Sequence, residues 1–483
     1  MNHPISKYSF LILLLFELID IALFGTDLTG LKIAFALSCY GFVLFTFCLN
    51  SRLGLFYLIS FNILTIGFTN YTAFDNADYG YWGLRAGPVS MNIVVQGLLF
   101  GAICLKKGFR NLFCTDSYSR FFIFYFLWTA LVGFINLAFG RIYGDNFQKD
   151  LFNYLPVIFY SVYFKDLRRE DLVQMFRYCF TVSIIGMLWG YALERYMMYG
   201  AEYYTVYNSM FFLIPPGVFI LRKYFSKLEM IFFICSFLFV VWQGAWLMGG
   251  KIIVIYLCLA IWLLSKNKYI FILSICCVGI LIPLTETILT GIMNSIDDPT
   301  FKFKISQILD IFIAPSAMYV ASLKTSMGNL VAELITLVTY LFENPLYLIF
   351  GKGNGAGIPD IYGFLRPFTR MFGYEYIDAY RNDYTGLHLA CYLVFLRGGI
   401  IFFVYYLRLI WRLMRDNSAI AFLAIIMFLF NFVISKDFLL LTYLLLRMCA
   451  YNEAAPRKKR VRKKPRLSGK FRELFIGRTL QSE

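Results

Sequence analysis

The sequence predicts an all-α, polytopic transmembrane bundle of about 12-14 helices, with one large periplasmic loop that contains amphipathic helices. Three observations carry this. First, 60% of the 483 residues are hydrophobic and only 15% are charged, whereas soluble chains run near 45–50% apolar and about 25% charged. Second, apolar runs of near-spanning length recur along most of the chain. Third, Lys and Arg fall in alternate gaps between those runs, as the positive-inside bias requires. The chain then divides into an N-terminal bundle at 1-288, a large loop at 289-385, C-terminal helices at 386-450 and a basic tail at 451-483.

A spanning helix needs about 20 mainly apolar residues. Runs of this kind are 9–25, 30–49, 53–69, 88–105, 120–140, 151–164, 176–196, 205–221, 228–247, 251–265, 268–288, 386–408, 418–434 and 437–450. The runs at 151–164 and 437–450 are the shortest claims. The tight turn Gly249-Gly250 leaves open a re-entrant hairpin in place of two crossings. The first run, Ser9 to Phe24, reads as a retained signal anchor without a small-residue cleavage site. It carries Glu17 and Asp20. Intramembrane acids suit a proton relay when they face a bundle interior, or sit harmlessly near an interface.

With the N-terminus inside, the inner gaps are Ser51-Arg52, Lys106 to Arg120, Lys165 to Arg169, Arg222 to Lys227, Lys266 to Lys268, Arg408 to Arg415 and the tail. They hold nearly all the dense basic clusters. Outer gaps include Asn70 to Gly87, Arg141 to Asp150, Met197 to Tyr204 and the long stretch from Leu289. In that stretch Ile305 to Ile313 and Leu330 to Phe342 show helical apolar spacing. Both are expected as helices lying along the membrane surface, and Pro345 is expected to end the second.

Eight of the ten residues from Arg457 to Arg466 are Lys or Arg. No aromatics interleave them as single-strand nucleic-acid binding demands, so the tail reads as a topogenic patch touching anionic lipid. No nucleic-acid partner is expected. Of eleven cysteines none lies between Leu289 and Leu387, and no C-x-x-C pair occurs beside the two histidines. Neither a stapled loop nor a zinc site is expected.

The chemistry-bearing residues concentrate late in the loop. Gly351, Gly353 and Gly355 alternate around Lys352, so the backbone can take positive φ and approach a ligand. Strung N–H groups there suit an anion nest, and a plain flexible turn is the alternative. Arg366, Arg370 and Arg381 follow, with Glu375, Asp378 and Asp383 among them. Guanidinium groups grip phosphate well, though local ion pairing would also account for them. His388 stands where the loop re-enters the membrane and suits a general base near neutral pH, or an interfacial anchor. Arg397-Gly398-Gly399 then interrupts an apolar helix, where paired glycines permit a kink or close contact.

The order Glu343-Asn344-Pro345-Leu346, Phe350-Gly351-Lys352-Gly353-Asn354-Gly355, His388 and Gly398-Gly399 resembles the C-terminal signature of the O-antigen polymerase and ligase superfamily. The resemblance is specific from about Leu330 to Tyr406. It implies a bacterial inner-membrane glycosyltransferase with both termini cytoplasmic. Such an enzyme moves a glycan from undecaprenyl diphosphate to an acceptor hydroxyl, with no metal and no cofactor. Membrane lipids and a chain-length regulator protein are the further partners it implies. Met248-Gly249-Gly250-Lys251 matches a step where relatives place Arg, and Lys251 keeps the charge without the planar fork. On this reading His388, Arg381 and Lys251 are catalytic. Arg195, Arg366, Arg370, Lys352, Gly351, Gly353, Gly355, Glu375 and Asp383 bind substrate. His388 is followed by Leu389, which favours a polymerase over a ligase. A non-enzymatic flippase is the rival reading; it leaves the loop unexplained.

Overall fold

The computed structural model describes residues 7–23, 28–64, 84–86, 89–108, 116–193, 196–199, 202–205, 316–322, 326–365, 381–387 and 389–416, with isolated positions that include Tyr443 and Arg447. These residues are mostly helical. In chain order the helices are α1 (Lys7–Leu23), α2 (Thr29–Leu49), α3 (Ser51–Leu64), α4 (Met91–Lys107), α5 (Ser117–Ala138), α6 (Gly144–Tyr154), α7 (Pro156–Asp166), α8 (Arg169–Ala192), α9 (Ala317–Ser322), α10 (Ser326–Glu343), α11 (Pro345–Phe350) and α12 (Ala390–Asp416). Two small antiparallel hairpins, β1–β2 (Arg85–Ala86 with Val89–Ser90) and β3–β4 (Tyr196–Tyr199 with Glu202–Thr205), are an addition to the all-α expectation.

Among the described residues, four helical stretches are long and apolar enough to cross a membrane: Thr29–Leu49, Ser117–Ala138, Arg169–Gly190 and Ala390–Arg412. Their outward surfaces stay apolar, as Phe124, Leu127, Leu131 and Phe134 on α5 and Ile400, Ile401 and Val404 on α12 illustrate. A contiguous apolar exterior of this kind is what a lipid-facing or partner-facing helix presents. Apart from Thr205 and Ile231, the runs expected at 205–221, 228–247, 251–265, 268–288 and 418–434 lie outside the described residues, as do Ile305 to Ile313 and the basic tail.

Two expectations change in detail. The run at 151–164 is not one helix: α6 ends at Tyr154 and Pro156 opens α7. Proline lacks the N–H that a first helical position leaves unpaired anyway, so it starts a helix more readily than it continues one. The same chemistry applies at Pro345. It does not only end the preceding helix; it opens α11, while the Asn344 carbonyl accepts N–H groups from Tyr347 (2.9 Å) and Leu348 (3.1 Å). Leu330 to Phe342 is helical within α10 as expected, but Glu333 on it is buried while Leu334, Val338 and Phe342 are exposed.

The core is rich in rings. Phe16, Phe42, Tyr57 and Phe61 cluster among α1, α2 and α3, and Phe121, Tyr125, Phe402 and Tyr406 between α5 and α12. Tilted aromatic pairs of this type add about 0.5–1.5 kcal/mol beyond their buried area. Amide side chains cross-link the N-terminal helices: Asn92 donates to Asn62 (2.6 Å) and Gln96 donates to Asn92 (3.1 Å).

Ion pairs sort the gaps into two sets. Arg52 pairs with Asp171, Lys107 with Asp166 and Arg447 with Asp116. All six residues lie in or beside gaps expected on the basic face. Arg381 pairs with Asp145, which joins two gaps expected on the opposite face.

Candidate functional site

The site is built where α11 stops. At Phe350 the chain leaves helix, and Gly351, Gly353 and Gly355 take φ of 80°, 84° and 79°. Side chains rarely tolerate that region. Space is as restrictive as conformation. A Cβ on Gly351 would lie 2.2 Å from the Arg397 carbonyl oxygen, and one on Gly353 would lie 2.1 Å from the Gly133 nitrogen. One on Gly355 would lie 2.6 Å from the Phe147 nitrogen. The loop is therefore wedged among α12, α5 and α6, backbone against backbone.

Its N–H groups are committed to the protein. Gly351 donates to the Tyr347 carbonyl (2.9 Å), Lys352 to Leu396 (2.8 Å), Gly353 to Arg397 (3.1 Å) and Asn354 to Thr129 (2.8 Å). Gly355 donates to the Asp150 carboxylate at 2.6 Å. The anion nest expected from Gly351, Gly353 and Gly355 thus has no N–H left over in this structure; the glycines serve close approach instead. The Leu396 and Arg397 carbonyls are open to the loop because α12 kinks at Gly399 (φ 66°, ψ −173°). A helix carbonyl normally accepts from the residue four positions on, and the kink releases it.

Lys352 points inward from this loop. Its side chain is buried, donates to the Gly357 carbonyl at 2.9 Å and stands 3.8 Å from Asp383. Its ammonium also lies 5.2 Å from the Tyr340 ring centroid. Burial pulls the Lys352 pKa below the ordinary lysine value, and the Asp383 charge resists that pull. Asp383 accepts from Asn146 at 3.4 Å. The segment that carries it is registered against the loop by an isolated antiparallel bridge, with paired hydrogen bonds between Ile358 and Tyr384 (3.1 and 2.9 Å).

Arg381, two residues earlier, reaches both oxygens of Asp145 at 2.9 and 2.7 Å and lies 4.4 Å from the Tyr143 ring centroid. Partial burial pushes the Asp145 pKa up. Hydrogen bonds from Arg381 and the Asn146 N–H, with the Arg381 charge, outweigh it and hold the carboxyl below its usual range. This pair remains open to solvent, with side-chain exposures of 30% and 53%.

Beneath these lies an ion pair that the sequence reading did not place in the site. Arg397, 1% exposed, meets Asp150 at 2.7 Å and donates to the Tyr154 hydroxyl at 3.0 Å. The available signal was a single Arg inside a long apolar run. Such a residue needs a partner, but nothing in the sequence named Asp150.

Gly351, Lys352, Gly353, Gly355, Arg381 and Asp383 are thus brought together around α6. His388, Lys251, Arg195, Arg366, Arg370 and Glu375 lie outside the described residues. Among the described residues no group of three or more His, Cys, Asp or Glu side chains is placed to hold a metal ion. Comparison with protein-family models, curated proteins and solved structures gives no match.

Proposed function

We propose that this chain is a multi-pass inner-membrane glycosyltransferase that polymerises glycan units carried on a polyprenyl diphosphate. The observation that carries the reading is the convergence of Lys352, Arg381 and Arg397 where the apolar-surfaced helices α5 and α12 meet a polar, glycine-wedged loop. A lipid-diphosphate donor has the same two-part character, an apolar tail and an anionic headgroup.

The roles follow from exposure. Arg397 and Lys352 are buried with carboxylate partners and shape the site. Arg381 is accessible, and its partner Asp145 is replaceable by a diphosphate, which carries more charge. In the transfer the acceptor hydroxyl oxygen bonds to the anomeric carbon. The carbon–oxygen bond to diphosphate breaks with its electrons going to the leaving group, and the acceptor proton passes to a base. Arg381 stabilises the growing phosphate charge, and Lys251 is its proposed companion. His388 is the proposed base, with Asp383 beside the loop as the alternative. The segregation of ion pairs into two sets supports the proposed orientation, with the loop on the face opposite the basic one.

The test uses purified protein in liposomes with a lipid-diphosphate-linked repeat unit, and products are sized on gels. Arg381→Ala and His388→Ala are expected to lower chain growth at least 100-fold, about 2.7 kcal/mol of barrier, with unchanged protein yield. Asp145→Asn is expected to retain it. Full chain growth in both alanine variants sinks the assignment. Transbilayer movement of single units without any chain growth makes the protein a flippase instead.

A further inference from the structure

The Arg397–Asp150 pair joins three parts of the molecule through one carboxylate. A single oxygen of Asp150 accepts from the Arg397 guanidinium at 2.7 Å and from the Gly355 N–H at 2.6 Å. The Arg397 backbone carbonyl meanwhile accepts from Gly353 at 3.1 Å. The side chain and main chain of one arginine therefore hold two alternate glycines of the loop, Gly353 directly and Gly355 through Asp150. Lys352 lies next to Gly353, and its ammonium is locked to Gly357 two residues past Gly355. Displacing Gly353 and Gly355 displaces Lys352, and with it the Asp383 segment registered on Ile358.

Stability alone is a poor account of such a pair. Replacing a buried ion pair by packed apolar side chains is often neutral or stabilising, whereas removing one partner is strongly destabilising. We infer that Arg397 and Asp150 are positioning residues. Their joint role is to fix the glycine loop at the kink of α12, so that Lys352 and Asp383 are presented together. The inference rests on the glycosyltransferase reading only for its effect on product.

The experiment compares wild type, Arg397→Met, and the paired variant Arg397→Met with Asp150→Leu, each full-length in detergent micelles. Thermal midpoints and peptide-level hydrogen exchange over 351–357 are measured, with glycan length as a separate readout. The single variant is expected to lose much of its folded yield. The paired variant is expected to recover the wild-type midpoint within a few degrees, while amide exchange in 351–357 quickens at least tenfold and chain growth falls. A recovered fold with unchanged exchange overturns the inference. Failure of the paired variant to fold also overturns it, because the pair would then be a stability element. Quickened exchange with undiminished chain growth leaves the positioning role standing and sinks the proposed reaction site.

Discussion

Asp116 and Asp150 are both largely buried carboxylates gripped by an arginine at 2.7 Å, and they hold different things in place. Asp116 stands one residue before α5 and accepts from the Ser119 N–H at 2.9 Å, inside the first turn of the helix that follows it. Asp150 accepts instead from Gly355, 205 residues away, in a segment with no regular structure of its own. At the Asp116 end a carboxylate completes a local element that would form in any case. At the Asp150 end it substitutes for one. The first arrangement tolerates error, because hydrogen bonds further along α5 persist. The second does not, because the loop's geometry is set by its partners.

That contrast can be broken most sharply at the glycines. Gly351→Ala combines a positive φ with a Cβ 2.2 Å from a backbone oxygen. It is expected to cost at least about 3 kcal/mol through strain and overpacking together, read as a collapse of the thermal midpoint in detergent. Gly363→Ala has a similar φ of 73° but open space around it. It should cost only about 1 kcal/mol, the backbone strain alone. Equal losses would show that conformation, not wedging, dictates the loop.

Smaller effects are expected at the other end. Asp116→Ala removes a helix cap and the Arg447 partner, and should cost about 1–2 kcal/mol. Hydrogen exchange should quicken in the first turn of α5 and leave 351–357 unchanged. Spread of the effect to the loop would erase the distinction between the two ends.

The smallest effect concerns Lys352 and pH. Its folded pKa is lowered by burial against the pull of Asp383. Between that lowered value and the ordinary lysine value of about 10.4, the unfolded chain binds more protons than the fold, so stability rises with pH. Below that window the cost of the buried ammonium is fully present. The stability of wild type relative to Lys352→Met should therefore improve as pH climbs towards the ordinary lysine value. A flat difference would show that the pull of Asp383 fully offsets the burial of the Lys352 ammonium.

Some of this was legible in the sequence. Apolar spacing in Leu330 to Phe342 announced α10. The alternating glycines announced positive φ because composition limits conformation locally. What they pack against was hidden, since steric contact with Gly133 and Arg397 is a property of three distant segments. The partnership of Arg397 with Asp150 was hidden for the same reason. Pro156 was visible, yet the apolar run around it masked the break between α6 and α7.

The kink at Gly399 has a consequence for how the chain seats in a bilayer. With its Leu396 and Arg397 carbonyls turned to the loop, α12 is not self-sufficient as an isolated cylinder in hydrocarbon, where each unmet polar group is costly. Its acceptors are answered by residues synthesised some forty positions earlier. In a bilayer, α12 and the 351–355 segment are therefore expected to seat together against α5, because each answers backbone groups of the other.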